Sequence, residues 1–280
     1  MSGRRTTFVD ERVNEQVDEL GYAVLDQRLD DDDVHRLDAL YRGVRAAAGD
    51  DDSGRFLPSM TITEPGLRTQ LWDGVRELLA PVIDPLFQPG TAAVMGGSFV
   101  SKPASEHSAR NPHQDPSVFD ETRFVAISLW IPLSDSDADN GTLYVLGGSH
   151  RMGNHVRPPD VANFDEAVGE HALAHSVPLE LRAGQVLVLD GALVHHSPPN
   201  RTASERVACI GAVRPTGAAM YLMRSDHGED TGVAELYRVE VDAFRSGNLM
   251  DPALDPEDLE RRVAYRPATA DDLERSLAGG

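Results

Sequence analysis

The chain contains little of the chemistry that proteins use for cross-linking or for binding polyanions. Cys209 is the only cysteine among 280 residues, which excludes a disulfide within the chain and favours a reducing, cytoplasmic location. Lys102 is the only lysine, and the excess of acidic residues brings the net charge to -20. Nucleic acids and anionic membranes are bound through basic surfaces, so neither is expected as a partner of this chain.

Long apolar runs are also missing. No stretch approaches the roughly 18 consecutive apolar residues that a membrane-spanning helix needs. The N-terminal residues lack the apolar centre of a signal peptide. Hydrophobic residues nevertheless make up 40% of the chain, which is enough for a sizeable core. Mainly β proteins of this length often form one unit, so we expect a single domain over residues 1–280.

The spacing of apolar residues predicts helices on either side of a β-rich core. Residues 7–20 and 34–44 carry apolar side chains every three or four positions, and the acids Asp30 to Asp33 are typical of a helix start. Residues 66–87 also favour a helix, interrupted by two prolines. The predicted divisions are a helical flank (1–90), a core (91–215) and an extension (216–280) that returns to helical and acidic character from about residue 230.

Short β-rich runs separated by Gly, Pro, Asn and Asp make up the core. Runs at this spacing are typical of a sandwich or barrel, and a jelly roll fits them. The predicted strands are 92–102, 123–133, 142–147, 176–182, 185–190, 193–197 and 206–213. The long polar insert 151–175 is expected to be a mobile lid or substrate loop. Arg110, Arg151 and Arg157 are candidate substrate contacts.

Histidine and aspartate residues at two places in the core form a candidate metal site. His113 and Asp115 are two residues apart, so in an extended segment both side chains point to one face. The apolar run 184–194 is typical of buried strands and leads into His195 and His196, of which only one can face that side. The pattern does not decide between them. Two imidazoles and one carboxylate leave coordination positions open, as in non-heme Fe(II) sites for oxygen chemistry.

Arg206 follows His195 by eleven residues and lies in a strand-like segment. An unpaired guanidinium facing a barrel interior would be costly, and its planar fork suits the carboxylate of a small dicarboxylate. Three other histidines, His171, His175 and His227, have no ligand-like spacing and are expected to be solvated. Cys209, in an apolar strand, is expected to be an inert buried thiol.

Six motifs, in order along residues 95–215, resemble those of the phytanoyl-CoA dioxygenase family. They are His113-Gln114-Asp115, Trp130, Asn140-Gly141, Gly148-Ser149-His150, His195-His196-Ser197-Pro198-Pro199-Asn200 and Arg206. The sequence departs from the family pattern at His196, where Gly is usual, and at Gly147, where Pro often stands. The family consists of Fe(II)- and 2-oxoglutarate-dependent oxygenases. The resemblance therefore implies a mainly β fold with flanking α-helices, a double-stranded β-helix or cupin-like jelly roll.

The resemblance also implies a role for each matching residue. The implied assignments are Fe(II) binding by His113, Asp115 and His195, and cosubstrate binding by Arg206, Ser197, Trp130 and Lys102. Arg206 would hold the far carboxylate of 2-oxoglutarate, and Ser197 would assist it. Trp130 would either line the cosubstrate pocket or fill the core, and Lys102 is a candidate for facing substrate or cosubstrate. With dioxygen as the other cosubstrate, the implied reaction is hydroxylation of a small-molecule metabolite.

Several alternatives remain open at this point. Desaturation, epimerisation and cyclisation use the same residues as hydroxylation, so the sequence does not separate them. An iron halogenase is disfavoured, because halide binding requires a vacant position where Asp115 supplies a ligand. A non-catalytic cupin-like binding protein would keep the fold without needing Arg206 in register. The sequence identifies neither the substrate nor the oligomeric state.

Overall fold

The computed structural model describes residues 8–49, 54–226, 232–247 and 254–278. The helices are α1 (Glu11–Leu20), α2 (Asp31–Ala48), α3 (Pro65–Ile83), α4 (Glu166–His175), α5 (Val241–Arg245) and α6 (Ala270–Ala278). The strands are β1 (Tyr22–Arg28), β2 (Leu57–Pro58), β3 (Ala92–Lys102), β4 (Arg110–His113), β5 (Ile127–Pro132), β6 (Tyr144–Val145), β7 (Val177–Pro178), β8 (Gln185–Asp190), β9 (His195–Ser197), β10 (Arg206–Pro215), β11 (Met220–Ser225), β12 (Val233–Val239) and β13 (Leu259–Ala264). No helix in these ranges is long and apolar enough to cross a membrane.

Local sequence explains the helical flank that was predicted. The side chain of Asp30 accepts a hydrogen bond from the backbone N–H of Asp33 at 2.8 Å, which caps α2 at the acidic cluster. The helix α3 runs through Pro81 and ends two residues later, and Pro85 lies in the 3₁₀ turn that follows. The prolines therefore mark the end of this helix rather than a break in its middle.

Two antiparallel sheets form the predicted jelly roll. The larger sheet has the order β1-β8-β5-β10-β3-β2, and the smaller has the order β4-β9-β6-β7. Two residues of the smaller sheet region, Val145 in β6 and Leu143 just before it, pack against the larger sheet. They contact Trp130, Leu187 and Ala208, so the two sheets share one core. This arrangement confirms the mainly β fold with flanking helices.

The central strands β5, β8 and β10 of the larger sheet are largely buried on both faces. In β10, Val207 and Cys209 pack under the helical flank, whereas Arg206 and Ala208 point between the sheets. The period of two is the pleat of a β-strand, and burial on both faces explains why the sequence is nearly continuous in apolar residues here. Cys209 is fully buried, and burial raises the pKa of its thiol above the usual range.

The C-terminal extension differs from the prediction of helical character from residue 230. It forms a third antiparallel sheet, β11-β12-β13, followed by α6. The charged residues that suggested a helix pair across strands instead: Glu235 lies opposite Arg224 on one side and Arg262 on the other. Both arginines donate to its carboxylate, at 3.0 Å and 2.6 Å. Hydrogen bonds from Tyr237 and Arg262 lower the pKa of Glu235 to about 2.

The insert 151–175 also differs from the expected polar loop. Its second half is α4, capped by Asp165, and Val168 and Ala172 of this helix are fully buried against the core. Phe164 bridges to Ala268 near α6. The insert is therefore packed into the fold on one side. His171 and His175 stack on each other at the surface of α4, and His227 lies outside the described residues.

Candidate metal and anion site

Three of the predicted ligands meet at the open end of the two sheets. β4 ends at His113 and β9 begins at His195, and these residues lie opposite each other in the strand register. One ligand atom from each of His113, Asp115 and His195 lies within 4.8 Å of the others. The Asp115 carboxylate is 3.9 Å from Nε2 of His195. The trio has the geometry of a two-histidine, one-carboxylate site that binds an ion from one side.

Backbone carbonyls fix the orientation of both imidazoles. Nδ1 of His113 donates to the carbonyl of Asn111 at 2.8 Å, and Nδ1 of His195 donates to the carbonyl of Leu193 at 3.0 Å. Each ring therefore carries its proton on Nδ1 and presents the lone pair of Nε2 to the shared space. Burial and the neighbouring His195 hold the pKa of His113 well below its usual range, which keeps that ring in the neutral, metal-binding form.

His196 does not join the trio. It lies opposite Tyr144 in the strand register, and the two rings pack with centroids 5.2 Å apart. Neighbouring residues of a strand point to opposite sides, which is why only one of the adjacent histidines reaches the ion position. The residues alone left this choice open, and the structure brings His195 to His113 and Asp115.

Arg206 is a buried cation that has no acidic partner in the described part of the chain. It is 1% exposed, and Nη2 donates to the carbonyl of Gly141 at 2.7 Å. Its guanidinium also lies over the ring of Trp130, at 5.2 Å from the centroid. Nε and Nη1, which lie on either side of Nη2, have no hydrogen-bond partner. The Nη2 hydrogen that Gly141 does not accept, together with Nε–H or Nη1–H, makes two parallel donors that fit a carboxylate.

Lys102 lies opposite Arg206 in the pairing of β3 with β10 and is also buried. Its Nζ donates to the carbonyls of Ser108 at 2.7 Å, Ser197 at 3.2 Å and Pro198. These three acceptors use all the ammonium hydrogens, so Lys102 braces the turn after β9. Burial and the nearby Arg206 lower the pKa of Lys102 to about 7. Two adjacent buried cations create a strongly anion-attracting interior.

Hydrogen bonds and a glycine fix the paths of the turns around these two cations. Asn200 donates to the carbonyls of Lys102 at 3.0 Å and Ser204 at 2.8 Å, which sets the path from β9 to β10. Gly141 has φ of 76°, and a Cβ there would lie 2.6 Å from the carbonyl oxygen of Pro198. Glycine is therefore required at the residue whose carbonyl holds Arg206. Ser197 is buried in β9, where its backbone carbonyl binds Lys102.

A buried ion pair behind Asp115 had no clear signal in the sequence. Arg157 and Glu121 are both 0% exposed and form two bonds of 2.7 Å. Nε of Arg157 donates to the carbonyl of Asp115 at 2.8 Å, so the pair fixes the backbone of a residue of the trio. The expectation that Arg157 and Arg151 contact substrate does not fit these bonds. Arg151 donates to backbone carbonyls of α1 and α6.

We expect the Glu121–Arg157 pair to be decisive for stability. Arg157→Met leaves the buried carboxylate of Glu121 without its guanidinium partner, which should lower the free energy of unfolding by about 3–5 kcal/mol. The double variant Glu121→Leu/Arg157→Met should lose less, because neither charge is then left alone. Urea unfolding monitored by circular dichroism measures both. Arg36→Met, which removes an exposed pair with Asp33, is the control and should cost about 1 kcal/mol or less. Equal losses in the control and Arg157→Met would contradict this expectation.

Comparison with known sequences identifies a family. A family model described as phytanoyl-CoA dioxygenase matches residues 17–208, which is more than half of the chain. Phytanoyl-CoA dioxygenase 1 from Oryza sativa subsp. japonica is 32% identical over 100 residues. That region is 35% of this chain and 36% of the relative, so the chain spans about a third of the length of the curated relatives it matches.

Comparison with solved structures gives the same fold. EctD from S. alaskensis with bound Fe is similar with a TM-score of 0.55 and 20% identity, over 94% of this chain and 88% of that chain. HygX from Streptomyces hygroscopicus, with nickel and 2-oxoglutarate bound, is similar with a TM-score of 0.51 and 17% identity, over 75% of this chain and 88% of that chain. At these identities the likeness supports the jelly roll and its flanking helices.

Proposed function

This chain belongs to the phytanoyl-CoA dioxygenase family of Fe(II)- and 2-oxoglutarate-dependent oxygenases, and from that premise we propose that it hydroxylates a small-molecule metabolite. The observation that carries the proposal is that Nε and Nη1 of Arg206 have no hydrogen-bond partner inside the barrel whose end holds the His113–Asp115–His195 trio. A protein that only encloses a ligand has no need of a fully buried guanidinium with free donors, because its desolvation is costly.

Each group of residues has a distinct task in this proposal. His113, Asp115 and His195 hold Fe(II). The guanidinium of Arg206, through its unpaired N–H donors, holds the far carboxylate of 2-oxoglutarate. When bound, the iron and 2-oxoglutarate supply the oxidising power for attack on a C–H bond with dioxygen, and 2-oxoglutarate leaves as succinate and carbon dioxide. The protein supplies binding, orientation and a dry interior.

The positions of these residues are fixed before any ligand binds. The carbonyls of Asn111 and Leu193 set the rings of the two histidines. Arg157 sets the backbone at Asp115, and the carbonyl of Gly141 sets the guanidinium of Arg206. Such preorganisation lowers the cost of assembling iron, cosubstrate and substrate in reacting geometry. The ring of Trp130, which lies beneath the guanidinium of Arg206, lines the barrel interior on the side of the larger sheet.

Succinate release tests the proposal directly. The metal-free protein is loaded anaerobically with Fe(II), given 2-oxoglutarate and ascorbate, and then exposed to dioxygen. We expect succinate only when iron, 2-oxoglutarate and dioxygen are all present, and none from His113→Ala. A folded protein that binds iron and 2-oxoglutarate but releases no succinate with any member of a metabolite panel would contradict the proposal. Product masses then separate the outcomes: hydroxylation adds an oxygen, desaturation or cyclisation removes two hydrogens, and epimerisation leaves the mass unchanged.

A further inference from the structure

An apolar cavity of about 250 Å³ opens beside the carboxylate of Asp115. Its inner wall comes from the core sheet and includes Met95, Ser128 and Ala212. Arg206, Lys102 and Trp130 do not border this cavity. The cavity is therefore distinct from the space next to the unpaired donors of Arg206.

The charged side chains along this cavity are already committed to protein partners. The guanidinium of Arg68 donates to the carbonyls of Ile62 and Ser246. Arg245 forms two bonds with Asp73, at 2.8 Å and 2.5 Å. Among the lining residues that the structure describes, the carboxylate of Asp115 is the one charged group without such a partner, and the trio uses it. A charged ligand would therefore be desolvated here without compensation.

The outer wall comes from the C-terminal extension. Leu222 of β11 and Phe244 of α5 face the cavity, with Trp72 of α3 and Phe119 closing its sides. Leu222 and Phe244 lie beyond residue 208, where the match to the family model ends. The outer wall of the cavity thus belongs to a part of the chain that the family model does not cover. The insert 151–175 contributes only Pro159 among the described lining residues.

We propose that this cavity is the substrate pocket and that it takes a small, uncharged, hydrocarbon-rich molecule of about ten carbon atoms, selected by the wall of Leu222 and Phe244. An apolar cavity of about 150 Å³ holds benzene, so 250 Å³ suits a larger ring or short chain but is small for most drug-sized ligands. Ser98 and Ser128 supply hydroxyls that suit a single carbonyl or hydroxyl group. The assignment of the ligand as a substrate rests on the proposed function. The preference of the cavity for an uncharged, apolar ligand does not depend on that function.

Calorimetric binding to the metal-free full chain tests the pocket without requiring turnover. The probes are 4-phenylbutan-2-one, its charged analogue 4-phenylbutanoate, and decanoyl-CoA, with CoA alone as a reference. We expect the ketone to bind with a Kd of about 1 mM or below. We expect 4-phenylbutanoate to bind at least about 10-fold more weakly, because its carboxylate finds no partner in the cavity. Decanoyl-CoA should bind no better than CoA.

Two variants assign the binding to this cavity. Ala212→Leu fills the space from the core sheet, and Leu222→Asn places an amide in the outer wall at nearly constant volume. Each should weaken ketone binding at least about 10-fold. Leu173→Asn, on the exposed surface of α4, is the matched control and should bind as the wild type does. Ala212→Leu adds volume to an existing space, so it provides the test if Leu222→Asn does not fold.

The possible results separate the two proposals. Absent ketone binding, equal or tighter binding of 4-phenylbutanoate or decanoyl-CoA, or unchanged ketone binding in folded Ala212→Leu would overturn the pocket assignment. Failure of the proposed function would appear instead as absent succinate release, while binding of the ketone to the metal-free chain remained intact. Succinate release stimulated by an uncharged ten-carbon compound and reduced in Ala212→Leu would support both.

Discussion

Replacing Arg206 with alanine should raise the 2-oxoglutarate concentration needed for half-maximal succinate release by about 30-fold or more. The guanidinium is 1% exposed, and its Nε and Nη1 have no partner among the described residues, so we expect the cosubstrate carboxylate to be their acceptor. Removing one side of a buried charge-assisted contact typically costs about 2–5 kcal/mol, and about 1.4 kcal/mol corresponds to a factor of ten.

The conservative variant and a nearby control sharpen this prediction. Arg206→Lys should recover only part of the affinity, because a point charge does not reproduce two parallel donors. Iron binding should be retained in both variants, since arginine is not a ligand. Arg201→Ala removes an exposed arginine from the same turn and should behave as the wild type does. Wild-type dependence on 2-oxoglutarate in folded Arg206→Ala would refute the assignment of this residue.

His195→Ala should abolish iron binding at stoichiometric Fe(II), whereas His196→Ala should retain it. Nε2 of His195 faces Asp115 and the ring of His113, and its Nδ1 is held by the carbonyl of Leu193. Loss of an outer partner of a metal ligand typically weakens binding about 10–100-fold, and loss of the ligand itself should exceed this. Turnover should disappear with the iron.

The adjacent histidine is an unusually close control. His195 and His196 are equally buried in one short strand, so a general loss of folding should affect both variants in the same way. Iron per chain after anaerobic loading and gel filtration, measured together with the thermal midpoint, separates ligand loss from unfolding. Iron loss confined to His196→Ala would reverse the assignment.

The sequence was most informative where a structural feature depends on residues that are close together in the chain. The short apolar runs that form β5, β8 and β10 and the capped start of α2 follow from the chain itself, and the mainly β fold with flanking helices was predicted from such runs. The spacing of His113 and Asp115 placed both on one face. Where residues 230–264 were expected to be helical, the acids and arginines instead pair between strands, and pairing between distant segments leaves no periodic signal.

The sequence by itself determined the fold class, His113 and Asp115 as two members of the trio, and the presence of a buried arginine. These depend on residue type, on the two-residue pleat and on a pattern of motifs along the chain. The tertiary structure decided which of two adjacent histidines reaches the trio, which donors of Arg206 remain unpaired and which segment bounds the cavity. It also showed that Glu121 and Arg157, 36 residues apart, support Asp115. Each of these facts is a meeting of segments far apart in the chain, and only their packing brings the atoms within contact distance.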